Sequence, residues 1–235
     1  MALKSWRMSS SLQMENKPRR FERKFRVEHL SPEAVSQAVK MLPWGFRPLF
    51  PDRRINNIYF DTPAMDFYHQ NGAGDIHRKK YRLRWYGEDH WPQAGAYFEV
   101  KERNHELGDK SSYLLQAAAP GNFKGLLEQL RAIPEIPGFL QPILANTYIR
   151  SYFGTPSGAF RITIDRDQRF EGIFHQHLGK PLAGFTFPTP DPACIVELKY
   201  KDSLDEAIDP IVQNLPFRLQ KNSKYVQGVD LLYRR

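Results

Sequence analysis

From His77 to Tyr86 the chain reads HRKKYRLRWY, so that Arg78, Lys80, Arg82 and Arg84 fall on one side of an extended backbone and Lys79, Tyr81, Leu83 and Trp85 on the other. That two-residue period is the signature of a strand with one apolar and one polar face. The pattern recurs. Glu22, Lys24 and Arg26 oppose Phe21, Phe25 and Val27; Glu99, Lys101 and Arg103 oppose Phe98 and Val100; Arg161, Thr163 and Asp165 oppose Ile162 and Ile164; Glu197 and Lys199 oppose Val196, Leu198 and Tyr200. Weaker versions place Tyr148 and Arg150 in phase and surround Lys110. Like charges side by side on a sheet repel. Such rows are tolerable where the face meets bulk water or holds something strongly anionic.

The remaining patterns predict the elements between these strands. Strands are expected over about 20–28, 54–61, 77–87, 96–103, 109–116, 144–153, 158–170 and 193–201. Ser31 as N-cap with Pro32 at the first helical position opens a helix that ends near Pro43. Further helices are predicted at 64–70, at 122–132 behind Asn122, at 203–214 where Ser203 and Glu206 have capping-box spacing, and at 222–233. Strands in consecutive runs imply an α+β fold with a mostly antiparallel sheet.

The polar faces are selectively Arg, Lys and Glu, whereas the outside of a sandwich would mix in Ser, Thr and Gln. For any single strand a solvated charged face is the simpler reading; five in one chain favour a shared interior. The predicted architecture is therefore a closed antiparallel β-barrel with a charged, basic interior, its apolar outside covered by helices. Enclosed cations lose hydration and repel one another. The interior then needs water, the interleaved Glu22, Glu99 and Glu197, and a polyanionic ligand.

The composition agrees with an anionic partner. The 235 residues include 34 Lys and Arg against 26 Asp and Glu, a formal charge of +8. Charge alone leaves nucleic acid, a membrane surface and phosphorylated small molecules open. The single cysteine, Cys194, excludes an intrachain disulfide and fits a reducing, cytoplasmic setting. No apolar run is long enough to span a bilayer, and the basic N-terminus lacks the apolar stretch of a signal peptide. Residues 1–18 are read as a disordered arm and 19–235 as one domain.

Taken in order, RRFERKFRV, INNIYFDTPAMDFY, RKKYRLRWYG, YFEVKER, Asp109-Lys110-Ser111, Tyr148 with Arg150, FRITIDRD, IVELKYK and NSKYVQGV resemble the polyphosphate polymerase (VTC, vacuolar transporter chaperone) domain of the triphosphate tunnel metalloenzymes, the CYTH-like superfamily, over residues 19–233. Each motif is weak alone; their order and spacing carry the resemblance.

The resemblance implies a tunnel in which ATP, inorganic triphosphate or polyphosphate lies while a divalent metal, Mn²⁺ or Mg²⁺, assists phosphoryl transfer. Lys24, Arg82, Arg84, Lys101, Lys110, Arg150, Arg161 and Lys199 would line it, with Arg82, Arg84, Lys101 and Lys199 as the catalytic cations. Glu197 would hold the metal. Ser223 and Lys224 would meet phosphate near one mouth, with Lys221 close by and Tyr148 adding a hydroxyl. A separately encoded membrane partner is compatible with this reading, since larger polymerase complexes join the domain to membrane helices.

One departure separates the branches of that superfamily. Many triphosphate hydrolases open with Glu-x-Glu-x-Lys, and here Arg20 precedes Glu22 and Lys24 where the first Glu would stand. That removes a metal ligand and favours polymerase over triphosphatase. An inorganic triphosphatase or polyphosphatase of the same fold, and a polyphosphate- or nucleic-acid-binding module without turnover, are the alternatives. Nucleic acid is disfavoured, because the aromatics mostly alternate away from the cations. His175 and His177 are read as surface residues, Asp61 as closing a turn, and Trp85 and Tyr86 as wall residues, with one aromatic near the mouth able to hold adenine. Glu22 and Glu99 are read as salt-bridge partners.

Overall fold

A computed structural model describes residues 20–92, 95–104, 107–116, 122–173, 185–201, 204 and 208–233. Their order is β1 (Arg20–Val27), α1 (Pro32–Lys40), β2 (Arg47–Asp61), α2 (Asp66–Ala73), β3 (His77–Tyr86), β4 (Tyr97–Asn104), β5 (Leu107–Leu114), α3 (Phe123–Arg131), β6 (Gln141–Gly154), β7 (Phe160–Gly172), β8 (Thr189–Asp191), β9 (Cys194–Lys201), α4 (Asp209–Asn214) and α5 (Lys224–Tyr233). The predicted arm, His175, His177, Ser203 and Glu206 lie outside the described residues.

The strands form one nine-stranded sheet in the order β1-β9-β7-β6-β2-β3-β4-β5, with β8 beside β7, and every pair is antiparallel. The α+β, mostly antiparallel expectation holds. Strand β2 begins earlier than predicted because Pro48 and Pro51 disguise it. The register slips between Pro48 and Phe50 and again between Phe50 and Arg53, irregularities of the kind that accommodate residues without a backbone N–H.

The apolar outer face carries two cores. Val35 and Val39, one turn apart on α1, and Ile211 on α4 pack with Phe25, Ile162, Ile164, Val196 and Leu198. On the other half of the sheet, Phe123, Leu126 and Leu130 of α3 pack with Ile58, Phe60, Leu83, Trp85 and Phe98. Both helices start at the predicted caps: Ser31 Oγ accepts from Ala34 N at 3.2 Å and Asn122 Oδ1 from Gly125 N at 2.9 Å. Each cap is worth about 1 kcal/mol.

Two expectations need correction. First, the sheet is not closed into a barrel: β1 and β5 are its edges. The outer edge of β1 is taken by the segment before α5, where Phe25 bridges Leu219 and Gln220 N donates to Lys24 O at 2.8 Å. Second, the helices do not all cover the outside. Tyr225 and Val229 of α5 pack on Tyr59, Leu144 and Phe170, and Tyr59 stands directly opposite Arg82 in the β2–β3 register, on the polar face. The close approach requires Gly228, where a Cβ would lie 2.5 Å from Leu144 Cδ2 and 2.6 Å from Phe170 Cδ1. Helix α2 bridges the two sides, with Phe67 in an outer core and Tyr68 beside Tyr225.

Candidate functional site

The polar face curls so that its two ends confront each other. Lys24 Nζ on β1 donates to Asn222 O at 3.4 Å, and Lys80 Nζ on β3 donates to the adjacent Ser223 Oγ at 2.9 Å. Strands far apart in the sheet order thus meet through one short segment.

Three carboxylates organise the cations. Glu99, only 4% exposed, accepts from Arg82 Nε at 2.6 Å, pairs with Lys110 Nζ at 2.5 Å and lies 4.0 Å from Arg84 Nη1. Burial disfavours its charge, but Arg82, Arg84 and Lys110 outweigh that and hold its pKa down at about 2. Asp165 takes a bidentate contact from Arg150, at 2.5 and 2.7 Å, and a third from Lys224 Nζ at 2.5 Å. Its burial is likewise overcome, by Arg150 and then Lys224, and it stays ionised below the usual range.

Glu197 pairs with Lys199 at 2.5 Å. Against burial, Lys199, Lys24 and Arg150 hold it well below the ordinary carboxylate range. On the neighbouring strand Glu22 pairs with Lys24 at 3.0 Å and lies 4.0 Å from Lys199. The salt-bridge readings of Glu22 and Glu99 are therefore the observed ones.

Arg84 is fixed from beneath. Its Nε donates to Asn57 Oδ1 at 2.8 Å and Nη2 to the Tyr148 hydroxyl at 3.1 Å, while Asn57 Nδ2 donates to Asn146 Oδ1 at 2.9 Å. Tyr148 also lies under two cations, Arg150 at 5.3 Å and Lys224 at 4.6 Å from its ring centroid. Burial works against its ionisation, yet Arg150, Arg84 and Lys224 bring its pKa down.

Cations remain in excess of these carboxylates. Burial, then Lys24, Lys101, Arg78 and Arg82, bring Lys80 down to about 7. Lys101 is also down at about 7, through Arg82 first, then burial and Lys199, despite Glu22 and Glu197. Lys101 is nevertheless exposed at its surface, so this crowd of charge borders a wet space. Its response to Lys199 and Glu22, from the opposite end of the sheet, is a second sign of the curl.

The face thus brings together Lys24, Arg82, Arg84, Lys101, Lys110, Tyr148, Arg150, Glu197, Lys199, Ser223 and Lys224. Arg161 stands at its exposed margin, in register with Lys199. Lys221 is exposed, and its Nζ is the neighbour that a Cβ on Gly74 would meet, at 3.9 Å. Asn57, Asn146 and the clamping role of Asp165 were not anticipated. Lys80 was visible in its charged row but received no role.

A divalent ion that travels with phosphate asks of a protein one or two carboxylates, the phosphates and water supplying the rest. Glu197 fits, ionised on the polar face with the Thr163 hydroxyl in register beside it, buried and without a hydrogen-bond partner among the described residues. No group of three or more His, Cys, Asp or Glu is placed to hold a metal among the described residues, so an all-protein cage is not what this face offers.

The fold resembles that of a Vibrio parahaemolyticus protein provisionally described as an adenylate cyclase, with a TM-score of 0.50, 16% identity and coverage of 88% of this chain and 96% of the other. PH1819 from Pyrococcus horikoshii gives a TM-score of 0.50 at 12% identity, covering 89% and 96%. At these identities the likeness concerns the fold. Curated proteins give no match. Residues 19–233 match the VTC domain, the span over which the motifs themselves run, and the chain belongs to the VTC domain family.

Proposed function

We propose that this domain builds inorganic polyphosphate from ATP by metal-dependent phosphoryl transfer, with the curled basic face serving as the tunnel that holds nucleotide and growing chain. The observation that carries the reading is the surplus of cations: Lys80 and Lys101 are crowded by like charge, while Glu99, Asp165 and Glu197 are each already engaged by cations. A linear polyanion relieves that crowding along the whole face.

In the proposed reaction, an oxygen of the terminal phosphate of the growing chain attacks the γ-phosphorus of ATP, the bond from that phosphorus to the β–γ bridging oxygen breaks, and ADP leaves. Such a transfer asks for in-line positioning and neutralisation of charge more than for a protein nucleophile. Arg82 and Arg84 present guanidinium forks oriented by Glu99 and Asn57. Arg150 and Lys224, oriented by Asp165, hold a second stretch of phosphate, and Lys24, Lys101 and Lys199 supply point charges around Glu197. Glu197 would hold a divalent metal, which when bound neutralises charge on the phosphoryl oxygens. Arg20 in place of a first-strand glutamate supports polymerase over hydrolase.

The test is incubation of purified protein with ATP and Mn²⁺ or Mg²⁺, with and without a short polyphosphate primer. Polymer with stoichiometric ADP is the expected result. Orthophosphate without polymer would replace the reading with triphosphate hydrolysis, and tight polyphosphate binding without turnover would replace it with a binding role.

A further inference from the structure

Beside the charged face lies a group of aromatics that the packing of the fold does not use. Phe50 is 51% exposed and Tyr86 49% exposed. Phe50 sits between the two register slips of β2, and its ring meets that of Tyr152 edge-on with centroids 5.8 Å apart. The Arg53 guanidinium carbon is 5.6 Å from the Phe50 centroid and 6.0 Å from that of Tyr152. Tyr86 stands opposite Ile55 on one side and Tyr148 opposite Ile55 on the other, so Tyr86 and Tyr148 share the polar face one strand apart. Burial raises the pKa of Tyr152, which also senses Arg150, Tyr86 and Arg53.

Exposed rings beside buried phosphate-binding cations match a ligand that is itself half plane and half polyanion. The geometry points to a nucleobase subsite formed by Phe50, Tyr86 and Tyr152, with Arg53 over the start of the phosphate chain, so that the nucleotide enters base-outward and its triphosphate runs from Arg150 towards Arg84 and Arg82. This rests on the phosphoryl-transfer reading and adds to it a direction and a selectivity. The rings offer stacking and no fixed set of hydrogen bonds to a base edge. Stacking strength then decides the preference: purine nucleotides bind ahead of pyrimidine nucleotides, with little distinction between adenine and guanine.

Titration of wild type, Phe50→Ala, Tyr86→Ala and Phe50→Trp with ATP and with inorganic tripolyphosphate tests the subsite. Losing one stacking partner lowers ATP affinity by roughly tenfold. Tripolyphosphate affinity stays unchanged in every variant, which also reports an intact fold, and Phe50→Trp binds ATP at least as well as wild type. Equal losses for both ligands, or no loss for ATP, overturn the subsite and leave the polyanion reading standing. Failure of wild type to bind tripolyphosphate overturns the polyanion reading itself, and the subsite with it.

Discussion

The Tyr225 hydroxyl donates a hydrogen bond to the buried Asp61 carboxylate, joining the end of β2 to the first turn of α5. Asp61 also accepts from the backbone N–H groups of Thr62, Phe67 and Tyr68 at 2.7, 3.0 and 2.8 Å. One side chain thus closes the turn after β2, starts α2 and anchors the helix that lies on the basic face. Removing the hydroxyl in Tyr225→Phe leaves Asp61 its three backbone donors and is expected to cost about 1.5–3 kcal/mol. Asp61→Ala strands those donors and costs about 3 kcal/mol or more. Urea denaturation of both variants checks the order; equal, negligible losses would mean that the contact does not hold α5.

Arg84 depends on its support. Arg84→Ala is expected to weaken tripolyphosphate binding by roughly 1.5–3 kcal/mol, the range for a charge-assisted hydrogen bond. Asn57→Ala, which touches no ligand, should lower the same affinity by about tenfold by releasing the guanidinium. Calorimetric titration separates this from unfolding, because the heat per bound ligand persists while the affinity falls.

Glu197→Gln removes one negative charge from a cation-rich face. Polyphosphate binding is expected to stay within a few-fold of wild type or improve, while metal-dependent turnover is abolished. Turnover at the wild-type rate would remove Glu197 from metal binding.

Burial and neighbouring cations bring Lys80, and Arg82 and burial bring Lys101, down to about 7 in the fold from the ordinary lysine value of 10.5. Between these values the unfolded chain binds more protons than the folded one, so their contribution makes stability rise with pH across that window; below about 7 the full repulsion is present. A bound polyanion stabilises the charged lysines. Binding at pH 8 should therefore take up protons, and affinity should fall as pH rises past 7. Titration calorimetry in two buffers of different ionisation enthalpy gives the number of protons directly; zero uptake would place both lysines away from the ligand.

The strands were legible because alternation is a local signal. Arg82 and Arg84 could be assigned to one face from their own segment, and the outer cores follow from Leu83, Trp85 and Phe98 on the other. Asn57 was not legible as a support, because a neutral amide in a strand carries no mark of the guanidinium it will meet 27 residues away. Asp61 was placed correctly as a turn residue, but its bond to Tyr225 spans 164 residues. The amphipathic pattern of α5 indicates that one side is buried, not which face of the sheet buries it. Closure was misjudged for a related reason: the occupant of the β1 edge, Leu219 and Gln220, lies in a stretch with no strand period.

The sheet order has a consequence for how the protein reaches its native state. Strand β1 finds its ladder partner in β9, and Arg23 reaches Tyr200 across 177 residues; the other edge of β1 waits for Leu219 and Gln220. Contacts so distant in sequence form slowly, after the local hairpins. Lys24 therefore depends for its place on residues far along the chain, among them Asn222, 198 positions later. The two halves of the basic face, β3–β4–β5 on one side and β1–β9 on the other, thus meet only when the segment around Leu219 and Gln220 is in place.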